Sequence, residues 1–307
     1  MVFLLCLFAS RAYADATLLL AEPYGARGSF TLMGHVGHVG IHLTRVCAAT
    51  PTTLRRCHPG EAGVVISRYD GIGEWEWVAI PFIPYLYGVE RAVDVPTFAT
   101  ADTVQRLRDE YRRAHLHDVV PDSSPGEPPM ERWTQFVGAA YDRRIAAFSV
   151  RTAEQDDALT AELNGRENRR RYSALFGNCS DFARDLINRY YPGAVGSGTI
   201  SDLGLMTPKQ IAKAFVRYGT RRPDTGFSAY LIPQIPGSRR NSSRAHGVIE
   251  SLLRTKKYVI PLAVVQPWVP AGLATSYVAT GRFNPYRYAT RALEPVEVER
   301  RAMRAAH

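Results

Sequence analysis

The heptapeptide Gly37-His38-Val39-Gly40-Ile41-His42-Leu43 decides the fold reading. It opens on a glycine loop and continues as an alternating run to Arg45, the pattern of a β-strand. Residues four apart on a strand face the same side, so His38 and His42 share a face. Working outward, Thr17 to Ala21 (TLLLA) reads as a buried strand, with Gly25, Gly28, Gly34 and Gly37 marking the loops that follow. Gly63 to Tyr69 and Trp75 to Ile80 read as two more strands, joined by the hairpin signal Asp70-Gly71-Ile72-Gly73. Beyond Pro96 the period turns helical. Helices are expected over 103–115, 130–141, 156–163, 181–191 and 208–218, the last with Thr207 as N-cap and Pro208 in its first position. The fold class is therefore α+β, an antiparallel sheet packed on helices.

A second stretch, Gly177-Asn178-Cys179-Ser180-Asp181-Phe182-Ala183, carries the chemistry. Asn178 suits a helix cap, and Asp181 three residues on suits the reciprocal partner. Cys179 then falls in the first helical turn, where unpaired amides and the helix dipole favour thiolate. A nearby imidazole would lower the thiol pKa further and complete a nucleophile for acyl chemistry. The same amides would hold the oxyanion of a tetrahedral intermediate.

The 307 residues are 46% hydrophobic and 22% charged, which excludes disorder or coiled coil along the whole chain. Lys plus Arg outnumber Asp plus Glu by 38 to 29, a balance of +9. Met1 to Ser10 is apolar but far shorter than the ~20 residues a membrane-spanning helix needs. With the small-residue sites Ala12-x-Ala14 and Ala14-x-Ala16 it reads as an export signal over 1–14. Export implies an oxidising compartment, periplasmic or secreted. Of the four cysteines, Cys6 would leave with the signal, and Cys47 and Cys57 could pair across the turn Thr50-Pro51-Thr52-Thr53. Cys179 is left over. Export also argues against nucleic acid as the partner of this basic chain, and the charge instead suits an anionic envelope polymer or phospholipid surface. A catalytic domain is expected over 15–219, followed by a basic, Pro-rich extension over 220–307. Within that extension 258–280 is apolar but broken by Pro261, Pro267 and Pro270, and reads as an extended segment on the core or on a membrane surface.

The order "GH-x-x-I-x-L" on a strand and, 141 positions later, "NC-x-x-F" on a helix resembles the circularly permuted NlpC/P60 group of papain-like proteins. Lecithin-retinol acyltransferase-like proteins and the exported DUF4105-like bacterial proteins share that order, and the resemblance covers about Thr17 to Tyr218. It implies a permuted papain-like core, Cys179 as nucleophile, His38 as general base, and no cofactor. It also implies a third polar residue on a following strand to orient the imidazole. The candidates are Asp70, Ser67, Glu74 and His58, with Asp70 favoured because a carboxylate also stabilises imidazolium. His35 is the rival base. Asn178, His42, Ser67 and Tyr87 are candidates for lining the substrate site. A zinc site from His35, His38 and His42 would lack a carboxylate or thiolate at motif spacing to complete it. The implied substrates are murein peptide first and lipid second, attacked at an amide or ester. A non-catalytic envelope-binding protein with a structural Cys179 is the reading from another class.

Overall fold

The structure is a computed structural model that describes residues 14–24, 35–70, 72, 75–124, 126, 127, 129, 132–152, 155–170, 172, 173, 177–196, 202 and 205–306. The expected signal segment, apart from Ala14, and the candidate Glu74 lie outside the described residues. The core is a six-stranded antiparallel sheet in the order β6-β5-β2-β1-β7-β8. Its strands are β1 (Ala14–Ala21), β2 (His38–Leu43), β5 (Val64–Ser67), β6 (Val78–Pro81), β7 (Ile145–Thr152) and β8 (Ser228–Ile232). A separate hairpin, β3 (Val46–Thr50) with β4 (Thr53–Arg56), carries the Cys47–Cys57 disulfide. The pairing expected from the turn between these cysteines is therefore present. Among the described residues Cys179 is the free cysteine.

Helices cover both faces of the sheet, so its central strands are apolar on both sides. Leu18 and Leu20 of β1 join Val39, Ile41 and Leu43 of β2 in one core, against α5 (Cys179–Tyr190) and α6 (Pro208–Arg221). Leu19 and Ala21 face the opposite core, with Val65 of β5, α1 (Phe82–Tyr87), α2 (Ala101–His115), α3 (Ala139–Asp142) and α10 (Pro295–Ala305). In α5 the residues Phe182, Leu186 and Ile187 are buried at helical spacing. Burying each such side chain is worth about 1.5–3 kcal/mol. A shorter helix, α4 (Asp156–Gly165), closes against the β3–β4 hairpin, where the Asn164 amide brackets the backbone of Leu54.

Several elements differ from the sequence expectation, each for a physical reason. The strand expected from Trp75 starts only at Val78, because the Asn168 side chain takes both the N–H and the C=O of Trp77 at 3.0 Å. The helix expected over 130–141 is divided. A short 3₁₀ turn (Arg132–Phe136) is separated from α3 by Gly138, at φ +66°. The central strand β7 and the edge strand β8 were not expected. β8 lies within the Pro-rich extension, so the region after residue 219 contributes a strand to the main sheet. The segment 258–280 is helical rather than extended. It follows α7 (Val248–Arg254) as α8 (Lys256–Val265), α9 (Trp268–Ser276) and a π-turn (Tyr277–Gly281). Pro267 and Pro270 sit at the start of α9, where the missing amide costs nothing, and Pro261 is tolerated inside α8.

Candidate active site

The candidate groups gather at one end of the sheet. Ala21 lies opposite His38 on one side and Ile145 on the other. The starts of β2 and β7 and the end of β1 therefore coincide there. Gly37 makes this approach possible. It sits at φ +80°, and a Cβ on it would come within 2.5 Å of the Ala21 carbonyl oxygen.

His38 is buried, and its Nε2 lies 2.9 Å from Ser67 Oγ. Ser67 pairs onto β2 next to the Ile41–Ile66 pair, which brings its side chain to the face that carries His38. The Ser67 hydroxyl donates to the Val39 carbonyl at 2.7 Å. A hydroxyl has one proton, and this one is committed to a group that can only accept. Ser67 Oγ therefore accepts from His38, which fixes the proton on Nε2 and leaves the lone pair on Nδ1. Tyr69 stacks on the imidazole with ring centroids 4.7 Å apart. Burial pushes the His38 pKa down to about 3, with the charge of Arg143 acting in the same direction.

Cys179 is positioned by its helix start. Asn178 Oδ1 accepts from the amides of Ser180 and Asp181 at 2.8 and 3.2 Å, and Asp181 Oδ2 accepts from Gly177 N at 2.8 Å. The capping box expected from the sequence is present. Asn178 Nδ2 also donates to the Met206 carbonyl at 3.2 Å, which ties the cap to the chain entering α6. The Cys179 sulfur receives the backbone N–H of Val39, the residue that follows His38. Cys179 and His38 share no direct hydrogen bond in this arrangement.

The thiol departs from the expectation of a lowered pKa. Cys179 is 5% exposed, and burial pushes its pKa up despite the Val39 amide and the helix start. Desolvation outweighs the dipole here, because the site excludes the water that would stabilise a thiolate. At rest the Cys179 thiol and the His38 imidazole are thus each neutral.

The other sequence candidates are dispersed. Of the residues expected to orient the imidazole, Ser67 holds the ring at 2.9 Å. His42 is 1% exposed, donates from Nε2 to the Ala62 carbonyl at 2.7 Å and stacks on Phe82 at 3.7 Å. Four strand residues from His38, about 13 Å along β2, it belongs to the core. Burial pushes its pKa down to about 4. Tyr87 is fully buried, with Tyr230, Glu294 and Tyr141 as its electrostatic neighbours. Asn178 is engaged as a cap. His35 lies beside His246, with ring centroids 5.8 Å apart. His58 follows the Cys57 disulfide, its backbone N–H held by Glu61.

Two residues at this end of the sheet, Arg143 and Tyr69, were not singled out in the sequence. Arg143, buried, donates to Tyr24 Oη at 2.7 Å and to the Gln135 carbonyl at 2.9 Å, and its Nε has no partner among the described residues. The hydroxyl of Tyr85 is also buried without a partner among the described residues, and burial pushes its pKa up to about 12. Both Tyr85 and Tyr69 lie within electrostatic reach of Cys179 and Arg143. Nothing in the local sequence Asp142-Arg143-Arg144 distinguishes the buried arginine from its neighbour. Beside the start of α5 a cleft of about 390 Å³ is lined by Gly177, Asp181, Arg68, Arg170 and Arg166. Arg170 belongs to the basic run Glu167 to Arg171, just upstream of Cys179, and Arg166 immediately precedes that run. Both ion-pair with Glu76, at 3.7 and 4.0 Å.

No family model, curated protein or solved structure matches this chain.

Proposed function

We propose that this protein is a cysteine-dependent hydrolase or acyltransferase built on a permuted papain-like core, exported to the periplasm or beyond, and acting on an amide or ester of the cell envelope. The observation that supports this best is the contact of the Cys179 sulfur with the Val39 amide, next to a histidine whose Ser67 partner leaves Nδ1 as the basic nitrogen. In this reading the Cys179 thiol attacks the acyl carbonyl as His38 Nδ1 takes its proton. Because both groups rest neutral, proton transfer accompanies attack rather than preceding it. The amides of Cys179 and Val39 approach the sulfur and would donate to the developing oxyanion. The protonated imidazole returns its proton to the leaving amine or alcohol, and water or a second acceptor then releases the acyl group. Ser67 acts through His38 as a positioning residue.

The test is hydrolysis of p-nitrophenyl esters and anilides by the purified protein. Cys179→Ala and His38→Ala are expected to abolish turnover. Ser67→Ala should lower it about 10-fold or more by freeing the tautomer, with a shifted pH profile. Turnover that survives Cys179→Ala would overturn the assignment. The full burial of Cys179 favours one other reading, an envelope-binding protein in which the thiol is structural. That reading predicts no turnover and a thiol that alkylates only on unfolding.

A further inference from the structure

Beyond its first two residues, Lys256 and Lys257, the α8–α9 segment is uncharged on every side. No residue of α8 is buried. Val264, Val265 and Trp268, where the chain turns from α8 into α9, are 78%, 74% and 68% exposed, and Ile260 and Val278 are more than half exposed. From Tyr258 to Gly281 there is no Asp, Glu, Lys, Arg or His. A surface helix of a water-soluble domain carries a polar face; a helix that is apolar all round is covered by something apolar.

The base of this hairpin has the opposite character. Arg254 precedes it, Lys256 and Lys257 open α8, and Arg282 follows it. A cavity of about 390 Å³ at the base is lined on its polar side by Lys209, Arg244, His246, Arg254 and the carboxylate of Glu250, and on its apolar side by Tyr277 and Phe283. The base is also clamped to the body. Lys209 of α6 pairs with Glu250 of α7, and Arg254 reaches the same carboxylate at 3.1 Å.

We propose that α8–α9 is a membrane-embedded hairpin that dips into an anionic phospholipid leaflet, with its charged base at the headgroups. The ten residues of α8 span about 15 Å, half of the ~30 Å hydrocarbon core, so the hairpin enters one leaflet without crossing. No helix among the described residues is long and apolar enough to cross. Basic residues at the base and uncharged ones at the tip match the charge profile of such a leaflet.

The hairpin base adjoins the candidate active site. Ile249 N donates to Asp202, Asp202 accepts from Thr207, and Met206 accepts from Asn178, the cap of Cys179. The chain leading into α7 runs beside Gly37, with His246 N donating to the His35 carbonyl at 2.8 Å. On the acyl-chemistry reading, an embedded hairpin therefore brings Cys179 to the headgroup level and points to a membrane-resident acyl compound as substrate.

The experiment is co-sedimentation with vesicles of phosphatidylglycerol and phosphatidylcholine, compared with phosphatidylcholine alone, read with tryptophan emission and with size by light scattering. The wild-type protein is expected to partition to the anionic vesicles with a blue-shifted emission. Replacing Val264, Val265 and Trp268 by Ser, all at exposed positions, should weaken binding by roughly 100-fold or more with the melting temperature unchanged. Lys256→Gln with Lys257→Gln should reduce the preference for anionic lipid, and added salt should do the same. Cys179→Ala should bind as the wild type does, which separates membrane binding from the acyl chemistry. Wild-type protein left in the supernatant with both lipids, unaltered binding by the triple variant, or a dimer that the triple variant dissolves without any vesicle binding would each overturn the proposal.

Discussion

Lowering the pH from 7 to 5 should cost this protein about 2 kcal/mol for each of its two buried strand histidines. His38 and His42 are both held neutral by burial, with pKa values pushed down to about 3 and about 4. In the unfolded chain each titrates near ~6.5. Below that value the unfolded state binds a proton that the folded state does not. Stability is therefore intact above pH ~6.5 and falls as the pH drops toward the folded values. Over the 1.5 units from ~6.5 to 5, at ~1.36 kcal/mol per unit, the loss is about 2 kcal/mol per histidine. Together that is a large fraction of the 5–15 kcal/mol that typically holds a domain together. The buried carboxyls Asp15, Asp156 and Asp202 are pushed up and act with the opposite sign, so the clean reading is a difference between proteins. Urea unfolding followed by circular dichroism at pH 7 and pH 5 supplies it. His42→Gln keeps a donor for the Ala62 carbonyl without the titration, and should lose about 2 kcal/mol less than wild type over this interval. Equal losses in the two proteins would refute the buried neutral state of His42, and with it the reasoning applied to His38.

Two further outcomes follow from local geometry. Replacing Cys47 and Cys57 by Ser opens a loop of sequence separation 10 and should lower the unfolding free energy by about 3 kcal/mol, with the urea midpoint as the readout. Gly37→Ala forces a Cβ toward the Ala21 carbonyl at positive φ; it should cost about 1–3 kcal/mol and reduce turnover through His38, whereas Gly60→Ala, also at positive φ but with open space around it, should leave turnover unchanged.

The elements that carry the site were legible because each is set by local physics. The run Leu18-Leu19-Leu20 reads as a strand buried on both faces. Asn178 and Asp181 announce the helix start at Cys179, and Thr207-Pro208 announces α6. What was not legible depends on register and burial. Ser67 reaches His38 only because Ile66 pairs with Ile41, and no residue pattern favours it over Asp70. The raised thiol pKa follows from the packing of α5 on β2, which the helix-start motif does not contain. Arg143 joins the site because β7 runs beside β1, and β7 itself follows two arginines that conceal its start. The helices over 258–280 were hidden by prolines that the structure accommodates at the start of α9 and within α8.

The central claim is that Cys179 attacks an acyl group with His38 as its base. Intact-mass analysis after brief exposure to a p-nitrophenyl acyl ester tests it most directly. A single acyl adduct that maps to Cys179, is released by hydroxylamine, is absent from Cys179→Ala and forms far more slowly in His38→Ala is the expected result. An unmodified wild-type chain, or an adduct that forms equally fast without His38, would contradict it.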